Sequence, residues 1–382
     1  MKIPQEKLIS VTLTAGILFT ICAIFISGGK ASAVKAKSVS EKIDAHINKY
    51  SKTEDFQGTV LVARNGKVIH KAAYGLSDRE KKLQNTLDTQ FLIGSLTKSF
   101  VAVTVMQMVE AGLLDLHAPI KKYIPDLKDE LAKGLTVHFL LKQQSGLAPS
   151  FDDLTDYENK DISSKELLEI INKTSRSFTP GTKYEYSNLN YTLCAIALEN
   201  VTGKKYSQIL QERTFNPLKM SRSGVERLSN RPSGRAGGYR KKTLGIERDE
   251  NVVSYALGSG DIYSTAEDLF KWDQALYTGK LISEKSKKLV FASENEKFGY
   301  YGYGFRIQEY QRGINSKNRG TLVRHGGTMN GFMSNLHRYL DDELTVIILG
   351  NIRPFPIRNL TFEIKEIALG FEPGIRNMLK WQ

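Results

Sequence analysis

Residues 91–112, FLIGSLTKSFVAVTVMQMVEAG, place a serine and a lysine at the start of an apolar helix. Ser95 and Lys98 are three positions apart, so one helical turn brings the hydroxyl and the amine to the same face. From Ser99 to Gly112 the segment is apolar on nearly every face, which is typical of a buried helix. Free N–H groups and the positive end of the dipole at a helix start favour a developing negative charge. The position suits acyl transfer with Ser95 as the nucleophile.

The Ser-x-x-Lys spacing is weak evidence when it stands alone. Ser32 and Lys35 repeat it in the same chain, as expected where lysine is frequent. A helix N-cap serine followed by a surface lysine explains such a tetrapeptide equally well. Other motifs must therefore decide whether Ser95 is catalytic.

The first 33 residues have the pattern of an export signal. Lys2 and Lys7 precede an uncharged, mostly apolar run over 8–26, and Ala31-Ser32-Ala33 follows it. We predict that residues 1–33 are a signal peptide cleaved after Ala33, which would release a secreted enzyme. The run is also long enough for a retained membrane anchor. Both alternatives place the remaining chain outside the cytoplasm.

The chain has two cysteines, Cys22 and Cys194, and only Cys194 lies beyond the predicted signal. No intramolecular disulfide can therefore form in the exported part. Cys194 stands in an apolar segment and is predicted to be a small buried hydrophobic residue.

The chain is strongly basic, with a net charge of +13. Residues 1–33 carry three lysines and one glutamate, so the remainder keeps +11. An anionic wall polymer or membrane surface is the expected partner of such an exported chain, and nucleic acid is not. The densest basic stretch, 231–248, is interpreted either as a contact for such an anion or as a solvated loop. We predict a monomer.

Strand patterns at both ends of the chain flank a helical middle. Residues 34–52 predict a linker and a first helix, and 357–370 predict a closing helix. Asn65-Gly66 predicts a hairpin between two runs rich in β-branched residues. The predicted strands are Gly58–Arg64, Lys67–Gly75, Tyr300–Glu309, Thr321–His325, Gly331–Leu340 and Leu344–Asn351. One antiparallel sheet built from both chain ends, with a mainly helical insertion over about 115–235, follows from this order.

Two further short motifs carry polar residues where a cleft is expected. Tyr186-Ser187-Asn188 precedes a helical pattern, so its tyrosine is predicted on an anchored loop. Residues 157–159 repeat the Tyr-x-Asn spacing in an acidic stretch and are interpreted as surface loop. Residues 324–328, Arg-His-Gly-Gly-Thr, are predicted to close a strand. Its two glycines leave room for a substrate backbone along the strand edge.

The order of Ser-x-x-Lys at 95, Tyr-x-Asn at 186 and His-Gly-Gly at 325 resembles that of the penicillin-recognising serine hydrolases of class C β-lactamase type. The resemblance covers roughly residues 40–370. It implies an α+β fold of the β-lactamase/transpeptidase type, with a hydrolase domain over 53–375. It also implies that Ser95 attacks a carbonyl while Lys98 and Tyr186 share its proton.

The same resemblance assigns the supporting residues. Asn188 would orient Lys98 and the substrate, and His325, Gly326 and Gly327 would lie along the substrate. The backbone N–H groups of Ser95 and Thr328 would form the oxyanion hole. No cofactor and no metal are expected, and the sequence holds no His-Glu-x-x-His, Cys-x-x-Cys or Gly-x-Ser-x-Gly motif that would indicate a rival chemistry.

A departure from the family pattern narrows the range of possible substrates. Class C β-lactamases carry Lys-Thr-Gly where this chain has His325-Gly326-Gly327, and a histidine is mostly neutral near pH 7. A carboxylate-bearing substrate would therefore lack a permanent cation at this position. We predict a D-alanyl ester or peptide of the bacterial cell envelope, with teichoic-acid D-alanine favoured. The alternatives are a D,D-carboxypeptidase or weak β-lactamase that acts on peptidoglycan D-alanine or a β-lactam, and a catalytically silent wall-polymer binding module.

Overall fold

The computed structural model describes residues 37–150, 160–249 and 252–374. The predicted export signal at 1–33 and the second Tyr-x-Asn sequence at 157–159 lie outside these ranges. In the described part of the chain, no helix combines the length and the apolar character needed to cross a membrane.

The described elements form successive groups of strands and groups of helices along the chain. The α-helices are α1 Val39–Thr53, α2 Thr97–Glu110, α3 Asp129–Ala132, α4 Val137–Leu141, α5 Ser164–Ile171, α6 Asn188–Thr202, α7 Tyr206–Leu210, α8 Ala266–Tyr277, α9 Glu284–Val290 and α10 Ile357–Ala368. The strands are β1 Gly58–Arg64, β2 Lys67–Tyr74, β3 Leu76–Asp78, β4 Leu83–Gln84, β5 Phe91–Leu92, β6 Gly224–Val225, β7 Tyr239–Lys242, β8 Gly245–Arg248, β9 Ile262–Ser264, β10 Arg306–Gln311, β11 Arg319–Met329, β12 Phe332–Tyr339, β13 Leu344–Gly350 and β14 Ile352–Arg353. A 3₁₀ turn at Gly94–Leu96 precedes α2.

The central sheet has six strands in the order β10-β11-β12-β13-β1-β2, and every neighbouring pair is antiparallel. Strands β1 and β2 come from the beginning of the chain and the other four from its end. The predicted α+β fold with one sheet assembled from both chain ends is therefore confirmed. The pairing of β13 with β1 is the junction between the two halves.

The hairpin at the start of the sheet follows from its turn residues. Asn65 and Gly66 both have positive φ, 52° and 68°, which the two-residue turn of a twisted hairpin requires. Residues 58–64 form β1 as predicted, and β2 ends at Tyr74, one residue before the predicted end.

Apolar side chains pack on both faces of the sheet because successive residues of a strand point to opposite sides. On one face Val60 and Val62 pack with Ile43 and Ile47 of α1 and with residues of α10. Helix α1 begins at a capping box formed by Ser38 and Glu41. On the other face the alternate residues of the same strands pack with α2, α6 and α8.

The predicted strand over 300–309 begins later than expected. Tyr300 and Gly304 have φ of 53° and 73°, and the Gly302 N–H donates to the Phe305 carbonyl at 2.8 Å. This tight turn occupies 300–305, so β10 starts only at Arg306. The prediction of strand over 300–305 is wrong because the left-handed residues reverse the chain there.

The basic stretch 231–248, for which an anion contact and a solvated loop were the two interpretations, contains regular secondary structure. Strands β7 and β8 form a hairpin within it, and β7 also pairs with β14. Most of its cations lie within 3.0 Å of a carboxylate, in the pairs Arg235–Glu226, Arg240–Asp249, Lys241–Asp55, Lys242–Glu247 and Arg248–Glu80. Its positive charge is therefore largely compensated inside the protein.

Between residues 115 and 235 the described elements are helices α3–α7, short turns and the two-residue strand β6. Cys194 in α6 is fully buried, as predicted, and burial raises the pKa of its thiol. The described segments of this region pack against α2 and complete one side of the core.

Candidate active site

The turn that carries Ser95 is held from both sides. Strand β5 pairs with β9, and the Ile93 N–H donates to the Ile262 carbonyl at 2.9 Å. In the other direction the Ile262 N–H donates to the Thr97 side-chain oxygen at 3.2 Å. These bonds fix the residues on each side of Ser95, which is itself half-buried and lines two cavities.

Lys98 lies in the first turn of α2, and its side chain is fully buried. Its Nζ is 3.0 Å from Ser95 Oγ, 2.8 Å from Asn188 Oδ1 and 2.7 Å from the Ser259 carbonyl oxygen. The last two oxygens can only accept hydrogen bonds. A neutral amine has two N–H groups for them, which leaves its lone pair for the Ser95 hydroxyl.

The electrostatics of the pocket favour this neutral amine. Burial lowers the pKa of Lys98 well below its usual value, against the opposing field of Asp261. Asp261 is fully buried and lies 3.0 Å from Arg227, so part of its charge is already compensated. The position and the lowered pKa of Lys98 therefore both suit it to accept the proton of Ser95.

Tyr186 lies on the loop before α6, as predicted, and its ring centroid is 5.0 Å from Lys98 Nζ. Burial raises the pKa of its phenol above the usual value, while a hydrogen bond with Ser95 acts in the opposite direction. The phenol is thus protonated when Lys98 is neutral. The structure brings Ser95, Lys98, Tyr186 and Asn188 together, as the sequence motifs require.

Gln143 anchors the loop that carries Tyr186. Its Oε1 accepts from the Ser187 N–H at 3.0 Å and from the Asn190 side-chain amide at 2.5 Å, and all three residues are buried. The Gln143 carbonyl also accepts from the Glu185 N–H at 3.0 Å. The sequence motifs assign no role to Gln143. Only the folded structure shows that Gln143 positions the tyrosine loop.

Strand β11 does not end at His325 as predicted but continues to Met329. Strand β10 reaches only to Arg306, which lies opposite Arg324. Residues 325–329 therefore pair with β12 on one side only. The predicted open strand edge exists, and it arises from the short neighbour β10.

His325 is buried and uncharged. Its Nδ1 is 2.6 Å from the Gly326 carbonyl oxygen, which can only accept, so Nδ1 carries the proton. The other ring nitrogen, Nε2, accepts from the Tyr301 hydroxyl at 3.0 Å. Burial lowers the pKa of His325 well below its usual value. The neutral state expected of this histidine follows from these surroundings.

The two glycines of β11 allow the strand to lie against the Ser95 turn. A Cβ atom added to Gly327 would be 1.9 Å from the Ile93 carbonyl oxygen, and one added to Gly326 would be 2.4 Å from Asn335 Oδ1. On the other side of the contact, a Cβ at Gly94 would be 2.8 Å from the Thr328 nitrogen. The backbones of the turn and of Thr328 are thus in contact, and the oxyanion-hole role of the Ser95 and Thr328 N–H groups stays a prediction.

Two cavities meet at Ser95 and Thr328. The larger is about 430 Å³ and is lined by Tyr186, residues 324–328 of β11, and the guanidinium-bearing residues Arg306 and Arg358. The smaller is about 160 Å³ and is lined by Asn188, Ser259 and Ser150, among others. Position 325 itself carries no permanent cation, as expected of a histidine. His325 is neutral, but arginines from β10, β11 and α10 supply positive charge beside it.

The described residues contain no group of three or more His, Cys, Asp or Glu side chains arranged to hold a metal ion. The groups that surround Ser95 are an amine, a phenol, an amide and backbone N–H groups. This donor set supports proton transfer and hydrogen bonding to an acyl group.

Comparison with known proteins supports the same interpretation. The family model described as Beta-lactamase matches residues 43–368. The putative penicillin-binding protein PbpX of Bacillus subtilis (strain 168) is 28% identical over 328 residues, 84% of this chain and 77% of the relative. Teichoic acid D-alanine hydrolase of Staphylococcus aureus (strain MRSA252) is 30% identical over 331 residues, 85% of this chain and 78% of the relative. The crystal structure of FmtA from Staphylococcus aureus has the same fold, with a TM-score of 0.72 at 24% identity over 90% of this chain and 93% of that one.

Proposed function

This chain belongs to the β-lactamase family and is a serine hydrolase, and on that basis we propose that it is exported and removes D-alanyl esters from teichoic acid. The observation that carries the proposal is the contact between Lys98 and Ser95. The amine is 3.0 Å from the hydroxyl, is buried, and uses its two N–H groups elsewhere. Such an arrangement makes a serine nucleophilic without a histidine base.

The proposed reaction proceeds in two halves. Ser95 Oγ attacks the ester carbonyl while its proton moves to Lys98, and the N–H groups of Ser95 and Thr328 hold the oxyanion. Collapse breaks the bond to the polyol oxygen, which takes a proton through Tyr186. Water then attacks the acyl-enzyme, gives up a proton through the same groups, and releases D-alanine and free Ser95.

Four features of the chain favour an ester of an anionic polymer. A relative named teichoic acid D-alanine hydrolase is 30% identical over 85% of this chain. Residues 34–382 keep a net charge of +11, which attracts a polyanion. The export signal predicted at 1–33 would place the enzyme where this polymer occurs. Position 325 holds a neutral histidine where class C β-lactamases have a lysine.

The test is release of D-alanine from purified D-alanylated lipoteichoic acid. We expect release by the wild-type protein and none above background by Ser95→Ala. No release by a folded wild-type protein would overturn the proposed substrate. If simple esters also failed to react, the binding-module alternative would gain support.

The second candidate is a D,D-carboxypeptidase or weak β-lactamase. It is favoured by the 28% identity to the putative penicillin-binding protein PbpX and by the arginines of the larger cavity, which suit a carboxylate. Intact-mass measurement after incubation with a penicillin distinguishes it. A long-lived adduct that is absent in Ser95→Ala, together with release of the terminal residue from a D-alanyl-D-alanine peptide, would favour this candidate.

A further inference from the structure

Three arginines converge on the larger cavity from different elements. Arg306 begins β10, Arg324 lies in β11, and Arg358 lies in the first turn of α10. All three line the cavity of about 430 Å³ that also contains Ser95 and Tyr186. None of the residues that line this cavity is acidic. We call these three residues the arginine cluster.

The arginine cluster brings positive charges close to one another. Arg306 and Arg324 are direct partners across β10 and β11, a register in which like charges repel. Their hydrogen-bond partners are uncharged: Arg324 donates to Gln308 at 2.9 Å, and Arg306 donates to the Gly299 carbonyl at 2.7 Å and to Tyr184 at 2.9 Å. Unlike the cations of β7 and β8, these two have no carboxylate partner among the described residues.

Burial strengthens the repulsion. Arg324 is buried and Arg358 is half-buried. Burial, with the charges of Arg358 and Arg306, lowers the pKa of Arg324 to about 9. The pKa of Arg358 is also lowered, by burial and then by Arg306. An anion in the cavity would relieve this repulsion and accept charge-assisted hydrogen bonds from the guanidinium groups.

The arginine cluster and Ser95 line the same cavity, so a group attached to the ester can reach the cluster. The cavity is lined by Ser95, by Gly326 of β11 and by residues 355–358 at the start of α10. Asn335, which pairs with Gly326 and donates to Thr361 of α10 at 2.9 Å, forms part of its wall. A substrate whose carbonyl lies at Ser95 can therefore place an attached group against the arginine cluster.

We propose that the arginine cluster binds a backbone phosphodiester of the polymer that carries the ester, and so selects esters of polyol phosphates over neutral esters. In such a substrate the phosphate is attached to the polyol whose oxygen leaves, a few bonds from the reacting carbonyl. Three cations in one cavity suit a polyanion, in which each successive phosphodiester carries one negative charge. This inference rests on the proposed function.

The test compares a neutral ester with an ester that carries phosphodiester groups. The substrates are the D-alanyl ester of glycerol and the D-alanyl ester of a short poly(glycerol phosphate). The variants are Arg324→Gln and Arg358→Gln, with Arg319→Gln as a control because Arg319 is exposed on the same strand and lies near Glu309. Two variants are used since loss of the buried Arg324 can also affect folding.

For each cluster variant we expect kcat/KM for the phosphate ester to fall by about tenfold or more, mainly through KM. Turnover of the neutral ester and all values for Arg319→Gln should change by less than about twofold. Equal loss on both esters, or no loss on the phosphate ester by either variant, would overturn the cluster as a phosphate subsite and leave the hydrolase function intact.

A binding measurement separates this inference from the proposed function. Ser95→Ala is titrated with unacylated poly(glycerol phosphate) by calorimetry, with and without Arg358→Gln. We expect binding that weakens with the second substitution and with salt. Binding of this kind without D-alanine release by wild type would overturn the proposed function alone. If the cluster variants lose activity only on a D-alanyl-D-alanine peptide, the cluster binds a carboxylate and the phosphate assignment is overturned.

Discussion

Gly327 and Ile93 are in such close backbone contact that a Cβ atom on Gly327 would lie 1.9 Å from the Ile93 carbonyl oxygen. The Ser334 hydroxyl donates to that same oxygen at 2.7 Å. The contact joins β11 to the turn of Ser95, although the two segments are far apart in sequence. The distance between the nucleophile and the strand edge is therefore set by a missing side chain.

Gly327→Ala should push β11 away from the Ser95 turn. We expect a loss of about 1–3 kcal/mol in the free energy of unfolding, as for other overpacked sites, and a larger proportional loss in kcat than in substrate binding. Urea unfolding and ester kinetics measure the two effects. Gly279→Ala is the control, because a Cβ there meets nothing within 4 Å and its φ is not positive. Wild-type kinetics in Gly327→Ala would show that the contact does not position the site.

Lys98→Met should abolish turnover, with kcat/KM reduced about 10²–10⁴-fold, because it removes the proposed base. Lys165→Met, an exposed substitution on α5, should leave activity unchanged. In the wild-type protein kcat/KM should fall as the pH drops through the lowered pKa of Lys98, since the protonated amine cannot accept the proton of Ser95. A pH profile without an acidic limb would contradict this role for Lys98.

The stability of the wild-type protein should also depend on Lys98. Unfolded chains protonate this amine up to its usual pKa of about 10.4, whereas the native amine stays neutral to a lower pH. The unfolded state therefore binds more protons between these two pKa values, and the free energy of unfolding rises with pH there. Urea unfolding between neutral and alkaline pH should show a smaller rise for Lys98→Met. Equal slopes in the two proteins would contradict a neutral native amine.

Gln143→Gly should loosen the loop that carries Tyr186. Glycine tolerates the φ of 60° at this position, so the substitution isolates the loss of the side chain. The Ser187 N–H and the Asn190 amide lose their acceptor, and we expect a loss of about 1–3 kcal/mol in unfolding free energy with a lower kcat. Gln208→Ala, an exposed control, should change neither. Unchanged kcat in Gln143→Gly would remove Gln143 from the positioning residues.

His138 should make the protein sensitive to acid. Burial, with His117 and Lys142 acting in the same direction, lowers its pKa from 6.5 to about 4. Between these values the unfolded state binds a proton that the native state does not, so stability falls as the pH drops from 6.5 to about 4 and levels off below it. Urea unfolding across this range should show a shallower slope for His138→Gln. An unchanged slope would mean that other groups control acid unfolding.

Local sequence patterns predicted the elements that depend on interactions between residues close together in the chain. Asn65-Gly66 gave the hairpin because both residues accept positive φ, and Ser38 and Glu41 begin α1 as a capping box. The start of β10 was missed because Tyr300 takes a left-handed conformation that its residue type does not favour. Packing around the Gly302 turn overrides that preference, and no short-range signal reports it.

The residues of the candidate site likewise include some that sequence motifs predicted and some that they did not. Its nucleophile, amine and phenol were predicted at Ser95, Lys98 and Tyr186 from motif order, and the fold brings them together. The roles of Gln143 and of the arginine cluster were not predicted, because their partners lie on other elements. Arg306 and Arg358 are ordinary surface-type residues in the sequence, and only the sheet register and α10 turn them toward one cavity.

The chain sequence alone specifies which groups are available for catalysis, since a hydroxyl, an amine and a phenol are properties of residue types at Ser95, Lys98 and Tyr186. Their protonation states are a property of the folded protein. The pKa of the Lys98 amine is lowered because burial removes the water that would solvate its charge, and the burial comes from segments distant in the sequence, among them Ser259 and Asn188. The tertiary structure likewise places arginines beside a neutral His325. Contacts between distant strands and helices, unlike residue identity, cannot be predicted from local sequence patterns.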